Sequence, residues 1–139
     1  MVDSRISLMN SESVVRSCDV PGSTLSVLLE DDGRVAYAYL RDGNRIVADV
    51  WLYNVAETPE RVDWRDRTQM PFLNPKAFCK SDASMRITPQ SQVRCTSHGE
   101  LFDIEVDGRL IARLGRETRP GWSRLAAKAG PLAKPLEVP

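Results

Sequence analysis

The residues able to do chemistry are few. His98 is the only histidine in the 139-residue chain, so any histidine-based triad has one candidate to draw on. It precedes Gly99 in a turn-like stretch, and no cysteines or acidic cluster stand around it at metal-ligand spacing. Cys18, Cys79 and Cys95 fit no Cys-x-x-Cys pattern. Their odd number predicts free thiols, with Cys18 and Cys95 serving as small core residues in strand-like runs. The sequence holds no Gly-x-Ser-x-Gly elbow, no phosphate-cradling Gly-x-x-x-x-Gly-Lys-[Ser/Thr] and no Gly-x-Gly-x-x-Gly. No catalytic residue, metal ligand or cofactor is assigned. Among carboxylates, Asp49 stands out, since it falls among small alanines and beside Trp51. It reads as a carboxylate on an edge or one paired with Arg34 or Arg45. The alternative is a partly buried acid whose raised pKa would suit a general acid or ligand anchor.

Residues 54–80 have a different character. Pro59, Pro71 and Pro75 and a mixture of charges break the strand pattern, which predicts a long surface connection of the kind that often carries function. The candidate partner-binding residues are Glu57, Glu60, Asp63, Trp64, Arg65, Asp66 and Arg67, because Trp and Arg dominate interface hot spots. Trp64, Phe72 and Phe78 would otherwise pin the connection to the body. Asn74-Pro75 is a start signal for one helical turn through Phe78.

The elements that must position these residues centre on 24–54, three apolar runs joined at Asp32-Gly33 and Asp42-Gly43. Both corners favour tight hairpins, and the runs predict antiparallel strands near 24–31, 34–41 and 44–53. Two-residue loops at those corners would set Leu28 opposite Tyr37 and Tyr39 opposite Ile46. One face would then hold Leu28, Val35, Tyr37, Tyr39, Ile46, Ala48, Val50 and Leu52. Asp49 and Trp51 would share the other face with Val27, Leu29, Ala36, Ala38 and Leu40. Both faces are apolar enough to require cover. Residues 12–20 predict a first strand, and 85–97 one or two short ones. Leu101–Val106 and Arg109–Leu114 form a further hairpin across Asp107-Gly108. Trp122, Leu125 and Ala126 at i, i+3 and i+4 predict a short helix over 121–128, stopped by Gly130 and Pro131. The reading is one mainly β domain of seven or eight strands, a sandwich or half-barrel with one short C-terminal helix. Residues 1–11 and 131–139 are expected to be loosely ordered, with Leu132 and Leu136 lying extended along the body.

Lys+Arg and Asp+Glu both number 19, a balance that disfavours a dedicated nucleic-acid binder. Tyr37 and Tyr39 share a face without Lys or Arg, which reads as core and not as a base-stacking platform. No apolar run approaches the roughly 20 residues of a membrane span, and no export signal is recognisable at the N-terminus, so the expected location is the cytoplasm.

Residues 33–75 and 107–136 together resemble a group of small, mostly uncharacterised proteobacterial proteins. The matching segments are Asp49-Val50-Trp51-Leu52-Tyr53-Asn54, Pro71-Phe72-Leu73-Asn74-Pro75 and Pro120-Gly121-Trp122-Ser123. Small β-rich proteins of this sort are similar in type to the immunity proteins that accompany polymorphic toxins. That resemblance implies a non-enzymatic protein that binds and occludes a cognate toxin or effector, without nucleic acid or membrane, as a monomer or homodimer. Two alternatives belong to other classes. One is a small-molecule-binding or hydrolytic protein with a cleft near Asp49 under the long connection. The other is a structural module that self-associates through Trp51 or an exposed strand edge.

Overall fold

In the computed structural model, residues 13–80 and 82–137 are described; the N-terminal tail expected over 1–11 lies outside them. They form two sheets. The first is an antiparallel meander of β1 (Val14–Asp19), β2 (Leu25–Asp31), β3 (Val35–Asp42) and β4 (Arg45–Asn54). The second runs β5 (Val93–His98), β6 (Leu101–Val106), β7 (Arg109–Leu114), β8 (Trp122–Ser123) and β9 (Lys134–Pro135), the last pair parallel. The mainly β reading holds, with nine strands among the described residues instead of seven or eight.

The turns decide the registers. Asp107 and Gly108 both take positive φ, 52° and 83°, as a two-residue hairpin loop requires, so Val106 faces Arg109. The first corner is wider than expected. Asp31 Oδ1 accepts from the Gly33 N–H, and Asp32 Oδ1 accepts from the N–H groups of Arg34 and Val35. These side chains satisfy the turn and move the register by two, pairing Leu28 with Tyr39 and Leu29 with Ala38. A shift of two preserves faces, so β2 and β3 keep the expected sides.

Between β3 and β4 the expected faces are overturned. The ladder shifts by one between Leu40 and Arg41, and again between Ala36 and Tyr37. A one-residue bulge moves side chains to the opposite face. Ala48 and Val50 therefore pair with Leu40 and Ala38 in the core, while Asp49 and Trp51 pair with Tyr39 and Tyr37. The second shift returns Tyr53 to the face of Ala36, placing it beside Asp31.

The helix expected over 121–128 is absent. The backbone there bonds outward: Gly121 N–H donates to Asp49 O and Arg124 N–H to Ile111 O. Lys134 and Leu136 donate in turn to Gly121 and Ser123. Leu125 and Ala126 are buried as core residues of this irregular segment, and Lys134 Nζ sits 4.0 Å from the centre of the Trp122 ring. Residues 131–137, expected to be loose, supply β9 and bury Ala133 and Leu136. The stretch before β5 carries a 3-10 turn, Ala83–Met85, and a single strand follows it.

Both sheets contribute to one apolar core, from Val27, Leu29 and Leu40 on one side to Ile104, Ala112 and Leu114 on the other. The free-thiol expectation is corrected here. Cys18 on β1 and Cys95 on β5 form a disulfide with Cα atoms 6.3 Å apart, tying the two sheets together at their edge strands. Cys79 remains a free thiol. Odd cysteine number says nothing about which two strands meet, so the pairing was not readable from the sequence.

Candidate functional site

Where β4 ends, the side chain of Asn54 takes over from the ladder. Its Oδ1 accepts from the Trp51 indole N–H at 2.8 Å and from the Asn74 backbone N–H at 3.0 Å. Its amide donates to the Asn74 carbonyl at 2.8 Å. Arg34 Nη2 donates to the carbonyls of Gln69 and Pro71, and the Tyr37 hydroxyl donates to Phe72 O at 2.7 Å. Lys76 N–H closes the base of the connection onto Pro59 O. Two side chains of the first sheet, Tyr37 and Asn54, and Arg34 from its β2–β3 turn thus hold the backbone of a connection that has only two 3-10 turns of its own, Arg67–Gln69 and Lys76–Phe78. Asp66 caps the first turn, and the hydroxyl and N–H of Thr68 hold its carboxyl below the usual range. Pro75 opens the second turn, as the Asn-Pro signal suggested within a residue.

Between this connection and the body lies a cleft of about 1050 Å³. Trp51, Tyr53 and Leu125 give it apolar walls, and six charged residues line it: Glu57, Glu60, Lys76, Lys80, Asp82 and Arg86. Several of these charges are already matched. Lys76 Nζ stands 3.6 Å from Glu60, and Arg109 Nη2 stands 3.1 Å from Asp82. Hydrogen bonds from Ser84 and then Arg109 hold the Asp82 carboxyl low. Cys79 also lines the cleft, but burial pushes its thiol up to about 11, the opposite of an activated nucleophile.

Behind the cleft lining, bonded to Tyr53 and Arg86, lies the one fully buried carboxylate among the described residues. Asp31 has no solvent exposure, whereas the Arg86 side chain is 49% exposed. Asp31 Oδ2 accepts from Tyr53 Oη at 2.7 Å and from Arg86 Nε at 3.1 Å, and Oδ1 accepts from Gly33. Tyr53 Oη in turn accepts from the Ile87 N–H. Burial, reinforced by Asp31, pushes the Tyr53 hydroxyl well above the ordinary phenol range, so it stays a donor. None of Asp31, Tyr53 and Arg86 was singled out from the sequence. Asp31 sits beside an Asp-Gly corner and reads as turn chemistry; its burial arises from pairing with Ala36 on the core face.

The seven candidate binding residues do not form one site. Glu57 and Glu60 line the large cleft. Asp63 and Asp66 line a separate hollow of about 230 Å³ with Arg34, Arg61 and Phe72. Trp64 lies outside both, 41% exposed, edge-on to Phe72 with ring centres 5.2 Å apart. Arg65 and Arg67 are exposed and line neither cavity. Arg65 reaches back to Asp63 at 3.3 Å.

Asp49 is not at either cavity. Its partner is Arg119 at 3.6 Å, not Arg34 or Arg45, and burial raises its pKa against that cation. It shares the outer face with the stacked rings of Tyr37 and Tyr39, whose centres are 5.9 Å apart. Burial and neighbouring carboxylates push Tyr39 up to about 12. His98 is exposed at the end of β5, with Nδ1 3.9 Å from Asp103. Trp51 is 1% exposed and offers no self-association surface. Among the described residues no group of His, Cys, Asp or Glu is placed to hold a metal ion, and no helix is long and apolar enough to cross a membrane.

Comparison with protein-family models, with curated proteins and with solved structures found no match to this chain.

Proposed function

We propose that this protein is a non-enzymatic protein-binding module and that its docking surface is the clamped connection over residues 55–80. The observation that carries this reading is the fixing of that backbone by Arg34, Tyr37 and Asn54. A long connection left free would lose much conformational entropy on binding; one already held in place loses less. It presents an exposed aromatic, Trp64, among exposed charges of both signs, which suits recognition with electrostatic selectivity. The immunity-protein form of the role fits the same surface, with Asp63 meeting a basic group of a toxin and the connection covering its working face.

The place of action is part of the proposal. The cytoplasmic expectation rested on the N-terminal residues and the lack of a long apolar run, whereas a Cys18–Cys95 disulfide favours an oxidising compartment. Alkylation of the protein as isolated from its native cells, with and without reductant, checks this. One alkylated thiol without reductant and three with it supports the oxidising location; three without reductant restores the cytoplasm.

A second reading has its own support. A cleft of about 1050 Å³ with aromatic walls is large enough for a small ligand, although it lies under the connection and away from Asp49. Affinity capture from native lysate, with retained proteins identified by mass spectrometry, separates the two. A stoichiometric protein partner supports the docking reading. Retention of no protein, together with a thermal shift from a small-molecule screen, would overturn it in favour of the ligand reading.

A further inference from the structure

We propose that the large cleft is a carboxylate-binding site in which Arg86, aimed by Asp31 and assisted by Lys80, takes an Asp or Glu side chain of the partner polypeptide. The proposal rests on the protein-binding reading and adds the chemistry of the contact. Arg86 is unlike the other cations of the cleft. Its Nε is fixed to a carboxylate with no solvent exposure, and that carboxylate is itself held by Tyr53 and the Gly33 N–H. The guanidinium is therefore oriented from behind, while its two terminal amino groups have no hydrogen-bond partner among the described residues. A guanidinium bound through Nε still offers the paired donors that match a carboxylate bidentately. Orientation in advance removes a cost that a free side chain would bear on binding.

The surrounding charges select the ligand class. Asp82 is occupied by Arg109, and Glu60 by Lys76. The Lys80 ammonium has no ion-pair partner among the described residues and lines the same cleft as Arg86. Three acidic residues on the lining, Glu57, Glu60 and Asp82, disfavour a phosphate dianion. A singly charged carboxylate on a short apolar stem meets the Arg86 fork and keeps its stem against Trp51, Tyr53 and Leu125.

The test is a nuclear magnetic resonance titration of the ¹⁵N-labelled full chain with four probes: acetyl-Ala-Glu-Ala-amide, its Gln and Lys counterparts, and inorganic phosphate. The Glu peptide should move the Arg86 Nε–H and Trp51 indole signals, and bind about tenfold more tightly than the Gln peptide, the scale of one charge-assisted contact. Lys80→Gln, which disturbs no buried group, should weaken the Glu peptide and leave the Gln peptide unchanged. Arg86→Lys, which keeps the charge and loses the fork, should weaken the Glu peptide and narrow the preference. Equal binding of the Glu and Gln peptides, preference for phosphate or the Lys peptide, or shifts confined to other surfaces would overturn the assignment. Loss of this site with partner capture still dependent on Trp64 would leave the docking reading standing. Carboxylate binding without any captured protein would separate the two in the other direction.

Discussion

Tyr53 shows how much rests on single atoms. Its hydroxyl donates to a carboxylate without solvent access and accepts from the buried Ile87 N–H. Tyr53→Phe keeps the ring and leaves both groups one partner short, so it should cost about 1–3 kcal/mol, read as a lower urea midpoint at unchanged slope. A loss below a few tenths would show that Arg86 and Gly33 suffice for Asp31. Asp49 makes a prediction of opposite sign. Burial raises its pKa above 3.8. Such a group contributes stability that is full below the unfolded value and is lost as pH rises through the folded one. Asp49→Asn should therefore gain on the wild type across that rise and keep the gain at neutral pH. A gap in urea midpoints that is constant from acid to neutral pH would contradict it. Neither environment was legible in the residues themselves. Asp49 was suspected because it falls among small alanines and beside Trp51, and its raised pKa was among the readings weighed. Its cation, Arg119, is 70 positions away in sequence and could not be guessed. Asp31 was hidden by its place next to Asp32-Gly33, where an acid needs no further explanation.

At the level of elements, the close approach at Gly121 joins β4 to β7. A Cβ there would stand 2.7 Å from Arg113 O and 3.0 Å from Leu114 Cβ. Gly121→Ala must therefore push backbone apart, at about 1–3 kcal/mol, with faster amide exchange at Gly121, whose N–H bonds Asp49 O. The Cys18–Cys95 link spans 77 positions. Reduction should lower stability by up to about 4–5 kcal/mol on a chain-entropy account, seen as a fall in melting temperature that Cys18→Ser with Cys95→Ser reproduces. An unchanged melting temperature would show that the sheets hold their edges together unaided. The strands were readable where turn chemistry is unambiguous: Asp107-Gly108 set the β6–β7 hairpin with its bounds, though not the bulge between Ile104 and Glu105 that shifts its ladder by one. They were misassigned in register where side chains widened a turn, as Asp31 and Asp32 do. The β3–β4 bulges carried no signal in residue type and exchanged Asp49 and Trp51 for Ala48 and Val50. The stripe of Trp122, Leu125 and Ala126 matched a helical period over too few residues to outweigh backbone partners offered by β4 and β7.

For the whole molecule, a balanced net charge and a shared core of two sheets leave recognition to local arrangement. The sequence marked 54–80 as the segment that breaks the strand pattern, and that segment is the one the first sheet clamps. What it did not reveal was the division of the marked residues between a large cleft, a small hollow and an outer aromatic. That division depends on where Arg34, Tyr37 and Asn54 pull the backbone. It also changes which substitutions are informative. Asp66 caps a turn, so reversing its charge alters the connection itself, whereas Trp64, Asp63 and Arg67 are exposed. The most direct test runs parallel captures from native lysate with three forms of the protein: wild type, a Trp64→Ala and Arg67→Glu double variant, and an Arg94→Glu control on exposed β5. The account predicts that wild type and control retain the same partner and the double variant loses it, with melting temperatures alike in all three. Retention of that partner by the double variant, or its loss from the control alone, would contradict the claim that the clamped connection is the docking surface.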